Sequence, residues 1–94
     1  MNIENEIKKG NVSIVDVRTR GEFSGGHVAG SINIPLNEIP HKMEELRKMQ
    51  LPIIFCCASG MRSGQAAQFA ENQGIECANG GSWLQVNYLQ SKSA

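Results

Sequence analysis

Pro52-Ile53-Ile54-Phe55-Cys56 runs directly into Cys57-Ala58-Ser59-Gly60-Met61-Arg62-Ser63-Gly64-Gln65-Ala66-Ala67, and this junction decides the fold. The first part is apolar throughout, with no polar alternation, which suits a central strand covered on both faces, as in a parallel sheet. The second part reads as a short loop around Gly60 and then a helix. Ser63 is expected to cap that helix, which extends to Gln73, buries Ala66, Ala67, Phe69 and Ala70, and stops at Gly74. A buried strand feeding a helix through a tight loop is half of a strand–helix–strand unit. It leaves Cys57 at the carboxyl end of the strand.

Working outward, Ile75 to Ala78 reads as a last strand, and Trp83, Leu84, Val86 and Leu89 suggest a closing helix, with residues 91–94 frayed beyond it. On the amino-terminal side, Ile3 to Lys9 can form a short helix ended by Gly10. The β-branched run Val12 to Val17 is a strand, Glu22 to Gly26 one helical turn, and Ser31 to Ile34 a short strand stopped by Pro35. From Ile39, the residues Met43, Leu46 and Met49 follow helical spacing, with Pro40 tolerable in the first turn. Strands alternating with helices at these intervals imply right-handed crossovers. The fold class is therefore α/β, a small mainly parallel sheet flanked by helices on both faces, with residues 1–94 as a single domain. Asp16-Val17-Arg18, Cys57 to Arg62 and Asn79-Gly80-Gly81 all follow strands and should share the sheet edge where ligands bind in such folds.

Bulk properties narrow the function. In 94 residues, nine basic side chains balance nine acidic ones, so charge gives no reason to expect nucleic acid or an acidic membrane as partner. One Trp, one Tyr and three Phe are too few for a base-stacking platform. No segment approaches the roughly 18 apolar residues of a spanning helix, and the polar start Met1-Asn2-Ile3-Glu4-Asn5-Glu6 is unlike a signal peptide. A cytoplasmic location is the expectation. Three cysteines, two of them adjacent, fit neither a disulfide framework nor a zinc knuckle, so no metal or other cofactor is expected.

The loop carries the chemistry. Gly60 lets successive amides turn inward, and the following helix adds unpaired N–H groups and the positive end of its dipole. A cysteine aimed into that cradle is expected to be held as thiolate, its pKa drawn from about 8.5 toward roughly 3.5–7.5. Cys57 is thus the candidate nucleophile, the amides from Ala58, Ser59, Gly60, Met61, Arg62 and Ser63 its anion cradle, and Arg62 a cation for an anionic substrate. An exposed Cys57 would also be open to oxidation. Alternation along the strand turns Cys56 to the opposite side, where it packs, and Cys77 reads as structural.

Three segments resemble a known family. Asp16 to Leu36, DVRTRGEFSGGHVAGSINIPL, is similar to the amino-terminal signature of rhodanese-homology domains. CASGMRS resembles their active-site loop, and Gly80-Gly81-Ser82-Trp83 resembles the Gly-Gly-x-x-Trp region that closes their fold. The resemblance implies a small rhodanese fold, no cofactor, and transfer of sulfane sulfur through a Cys57 persulfide. The donor would be a small anion such as thiosulfate, and the acceptor a thiophile, a sulfur-accepting protein included. It also suggests that Asp16 steadies nearby backbone or arginine groups and that Arg18 lies near the rim, against the plainer reading of a surface ion pair. His27 is expected to order the turn before Val28, and Trp83 to belong to the core beside the pocket wall. The strand usual before the first helix is missing here or reduced to Met1-Asn2-Ile3.

Two alternatives stay open. A persulfide carrier or a non-catalytic binding module could use the same scaffold. A cysteine phosphatase would need five residues between nucleophile and arginine, whereas Cys57 and Arg62 are separated by the four from Ala58 to Met61. With one arginine and no lysine in the loop, affinity for doubly charged thiosulfate is expected to be modest.

Overall fold

The computed structural model describes residues 1–92. Four parallel strands form one sheet in the order β2-β1-β3-β4. Their spans are β1 Ser13–Asp16, β2 Ile32–Asn33, β3 Ile53–Cys57 and β4 Cys77–Ser82. The helices are α1 Ile3–Lys9, α2 Arg20–Ser24, α3 Met43–Arg47, α4 Met61–Asn72 and α5 Trp83–Lys92, with a 3-10 segment at Leu36–His41.

All five β3 residues are buried because the strand is flanked by β1 and β4 and covered on both faces. Side chains alternate along it. Ile53, Phe55 and Cys57 join Val15, Leu46, Ala66 and Ala70 on the α3/α4 side, while Ile54 and Cys56 join Ile7, Ile14, Val86 and Leu89 on the α1/α5 side. Ile53, Ile54 and Phe55 have no exposed surface, and each contributes about 1.5–3 kcal/mol by leaving water. The apolar run is therefore a two-sided core strand, as its lack of polar alternation requires.

Gly10 ends α1 in the left-handed conformation at φ 79°, with its N–H on the Ile7 carbonyl. Several expectations need correction. Ser63 does not cap α4: the helix starts at Met61 with Gly60 at φ 99° as its cap, so Ser63 lies within the first turn with its hydroxyl free for other work. The helix expected from Ile39 is two short pieces, the 3-10 segment containing Pro40 and then α3, separated at Lys42 where the backbone leaves helical geometry. Met1 and Asn2 form no strand; Asn2 caps α1 by accepting from the Asn5 N–H. Ser91 and Lys92 continue α5, and residues 93–94 lie outside the described residues.

The last strand is longer than expected because it runs on through Asn79, Gly80 and Gly81. Its register against β3 shifts between Phe55 and Cys56, with Phe55 opposite Asn79 and Cys56 opposite Gly81. Gly80 is the extra residue of this bulge. A Cβ there would stand 2.7 Å from Ile54 Cγ2 and 2.8 Å from Val86 Cγ2, so only glycine lets the strand press onto the core.

Candidate active site

The three segments expected to share a sheet edge do converge. Cys57 ends β3, the loop 58–60 turns over it, and Asn79 approaches from β4. The loop turns tightly because Gly60 adopts φ 99° while packing 3.3 Å, from where a Cβ would be, to Gly81 Cα. That geometry aims donors at one atom. Cys57 Sγ accepts from Gly60 N–H at 3.0 Å, Ser63 N–H at 3.4 Å and the Ser63 hydroxyl at 3.3 Å.

Cys57 is fully covered, correcting the expectation of an exposed thiol. Desolvation is the largest single influence and pushes the thiol up. The hydrogen bonds from the Ser63 hydroxyl and from the Ser63, Gly60 and Ser59 amides together outweigh it, so the thiol lies below its ordinary value. Cys56, one residue away on the other face, has no such cradle: desolvation, reinforced by Asp16, pushes it up to about 12. Burial also raises Cys77, whose thiol lies 3.4 Å from the Ala67 carbonyl. Neighbouring thiols thus receive opposite treatment from opposite faces of one strand.

Asn79 fixes the loop. Its Nδ2 donates to the Gly60 carbonyl at 2.9 Å, and its Oδ1 accepts from Gly81 N–H at 2.9 Å and from the Ser63 hydroxyl at 2.7 Å. Ser63 therefore has one proton and two acceptors, Asn79 Oδ1 and Cys57 Sγ. The sequence placed Asn79 at this edge but gave its side chain no role.

Asp16 and Arg18 are not a surface pair, and Arg18 is not at the rim. Asp16 is fully buried and Arg18 is 5% exposed. Arg18 Nε and Nη2 fork onto the Asp16 carboxylate at 2.7–3.0 Å. Arg18 also donates to the Glu22 and Gly26 carbonyls, and its guanidinium lies 4.8 Å from the Trp83 ring centre. The pair thereby ties the α2 turn and the start of α5 to the end of β1. His27 stacks on Phe23 and its Nδ1 lies 2.8 Å from the Phe23 carbonyl oxygen, which makes it a turn-ordering residue as expected.

Arg62 does not stand free. Its two terminal nitrogens bind the two Glu22 carboxylate oxygens at 2.7 and 3.0 Å, across 40 residues of sequence. Glu22 is also the third helical residue of a capping box, with its Oε1 accepting from the Thr19 N–H and hydroxyl. The Thr19-x-x-Glu22 spacing is a signal that could have placed the start of α2; the pairing with Arg62 had none. The loop's exposed residues are Ala58, Ser59 and Met61. A separate cavity of about 380 Å³, lined among others by Ile7, Val12, Ala29 and Gln90, includes none of the loop residues. Among the described residues, no group of His, Cys, Asp or Glu side chains could hold a metal, and no helix is long and apolar enough to cross a membrane.

The chain is similar to known proteins. The rhodanese-like domain profile matches residues 2–85. The chain belongs to the rhodanese-like domain family. A rhodanese-related protein from Thermoplasma volcanium superposes with a TM-score of 0.74 at 29% identity, over 86% of this chain and 80% of that one. The thiosulfate sulfurtransferase GlpE of Pseudoalteromonas translucida is 36% identical over 74% of this chain and 66% of its own. The putative sulfur carrier protein YrkF of Bacillus subtilis is 35% identical over 69% of this chain and 35% of its own. Other curated relatives are matched over 57%, 63% and 58% of their length, so this rhodanese-like domain corresponds to part of each. Proteins named as sulfurtransferases are thus among the relatives, and the four-stranded parallel sheet matches the fold of the rhodanese-related structure.

Proposed function

We propose that this rhodanese-like domain transfers sulfane sulfur through a persulfide on Cys57. The observation that carries the reading is the convergence of the Gly60 amide, the Ser63 amide and the Ser63 hydroxyl on Cys57 Sγ, which favours the thiolate although the residue is buried. In the first step the Cys57 thiolate attacks the outer sulfur of thiosulfate. The new Cys57 S–S bond forms as the donor S–S bond breaks, and sulfite leaves with the electron pair. In the second step a thiophile such as cyanide or a thiolate takes the outer sulfur, and the bonding pair returns to Cys57. The amides of Ser59, Gly60 and Ser63 and the Ser63 hydroxyl, which serve the thiolate, can serve the terminal persulfide anion as well. Because Sγ is covered, the loop must open for a donor to reach it in line with the breaking bond.

The test is steady-state thiosulfate:cyanide kinetics. Parallel double-reciprocal lines and loss of turnover in Cys57→Ser are expected; a Cys57→Ser protein that retains turnover would move the chemistry elsewhere. The likeness to a putative sulfur carrier favours a second reading, in which the same persulfide is handed only to a protein. That reading predicts loading by the donor without turnover by cyanide.

A further inference from the structure

The two arginines nearest the candidate site are both already bound to carboxylates. Arg18 is consumed by Asp16 inside the protein. Arg62, whose charge acts on Cys57, is met by both oxygens of Glu22. The Glu22 carboxylate is held from behind as well, since Thr19 donates to its Oε1 twice. It is thus a prepositioned anion, part of the capped start of α2, facing the one loop cation that could receive a substrate.

Resting on the Cys57 reading above, we propose that Glu22 acts as a built-in anion on Arg62 and makes the site select sulfur donors by charge, favouring singly charged donors over doubly charged thiosulfate. A dianionic donor must either displace Glu22 from Arg62 or approach with the Glu22 charge still beside it. A monoanion faces half that repulsion. The pair is partly exposed, 35% for Arg62 and 37% for Glu22, so it can open without unfolding the chain. Hydrogen bonding to Arg62, with that to Thr19, pulls Glu22 down to about 2, so the carboxylate stays charged across the neutral range. Glu22 is therefore a specificity-determining residue that touches Arg62 rather than the reacting sulfur.

The experiment compares thiosulfate, with two negative charges, and methanethiosulfonate, with one. Both donate an outer sulfur to Cys57, expelling sulfite and methanesulfinate respectively. The readout is the ratio of kcat/KM for the dianion to that for the monoanion, measured within each variant so that folding losses cancel. Glu22→Gln keeps an oxygen for the Thr19 cap but removes the charge. Its ratio is expected to rise about three- to tenfold, the scale of one unit charge acting across a partly screened surface. Adding Arg62→Ala to Glu22→Gln is expected to abolish that gain. A ratio unchanged or lowered in Glu22→Gln, or a gain that survives the loss of Arg62, overturns the proposal. If neither donor loads Cys57 in wild type, the Cys57 reading fails first and the charge selection falls with it. Loading by both donors with an unmoved ratio removes the charge selection alone.

Discussion

Ser63→Ala isolates one contributor to the cradle. The Ser63 hydroxyl is fully buried and stands 3.3 Å from Cys57 Sγ and 2.7 Å from Asn79 Oδ1, with one proton to give. A hydrogen bond to a charged group contributes about 1.5–3 kcal/mol. The longer reach to sulfur and the competition from Asn79 reduce this one to about 1 kcal/mol. The amides of Gly60 and Ser63 belong to the backbone and survive the substitution. A loss of about 1 kcal/mol moves the Cys57 inflection upward and, at pH below that inflection, lowers the thiolate fraction roughly fivefold. The assay is iodoacetamide alkylation of Cys57 across pH, followed by peptide mass in wild type and Ser63→Ala. Alkylation about fivefold slower on the low-pH limb of the profile is expected, with the inflection moved upward and the high-pH plateau retained. Superimposable profiles would show that the hydroxyl serves Asn79 alone and would refute the reasoning. Stability carries the same signature. A thiol lowered in the folded state binds fewer protons there than in the unfolded chain, so its contribution is complete above 9.0 and lost as pH falls through the folded value. That loss should be smaller in Ser63→Ala.

Two further substitutions test the frame around the loop. Gly80→Ala puts a methyl 2.7–2.8 Å from Ile54 Cγ2 and Val86 Cγ2, and is expected to lower unfolding free energy by about 1–3 kcal/mol in urea titration; an unchanged midpoint would mean the bulge is not locked. Asp16→Asn leaves the buried Arg18 guanidinium without its counter-charge, for an expected loss of about 3–5 kcal/mol in the same titration. A loss under about 1 kcal/mol would return the pair to the class of surface ion pairs.

What was legible in the sequence follows the range of the forces involved. The core strand Ile53–Cys57, the Gly10 cap and the opposite facing of Cys56 and Cys57 are local consequences of apolar pattern and alternation, and all three appear in the structure. The Ser63 cap failed because two rules competed at the same turn: a serine suits a cap, but Gly60, already in the left-handed conformation, started the helix earlier. The Gly80-Gly81 end of β4 did not read as strand because glycine disfavours one; pairing with β3 and the close approach to Ile54 and Val86 override that preference. At the site, the cradle residues were readable as a strand–loop–helix pattern. The grip of Asn79 on the loop and of Glu22 on Arg62 depends on residues 19 and 40 positions apart, which only the completed sheet brings together.

The central claim, that Cys57 carries sulfur, is tested most directly by intact mass spectrometry of wild type and Cys57→Ala after incubation with thiosulfate, before and after cyanide. The account predicts that wild type gains the mass of one sulfur atom, that cyanide removes it, and that Cys57→Ala gains nothing. A gain retained by Cys57→Ala, or none in wild type with thiosulfate or a persulfide donor, would contradict it.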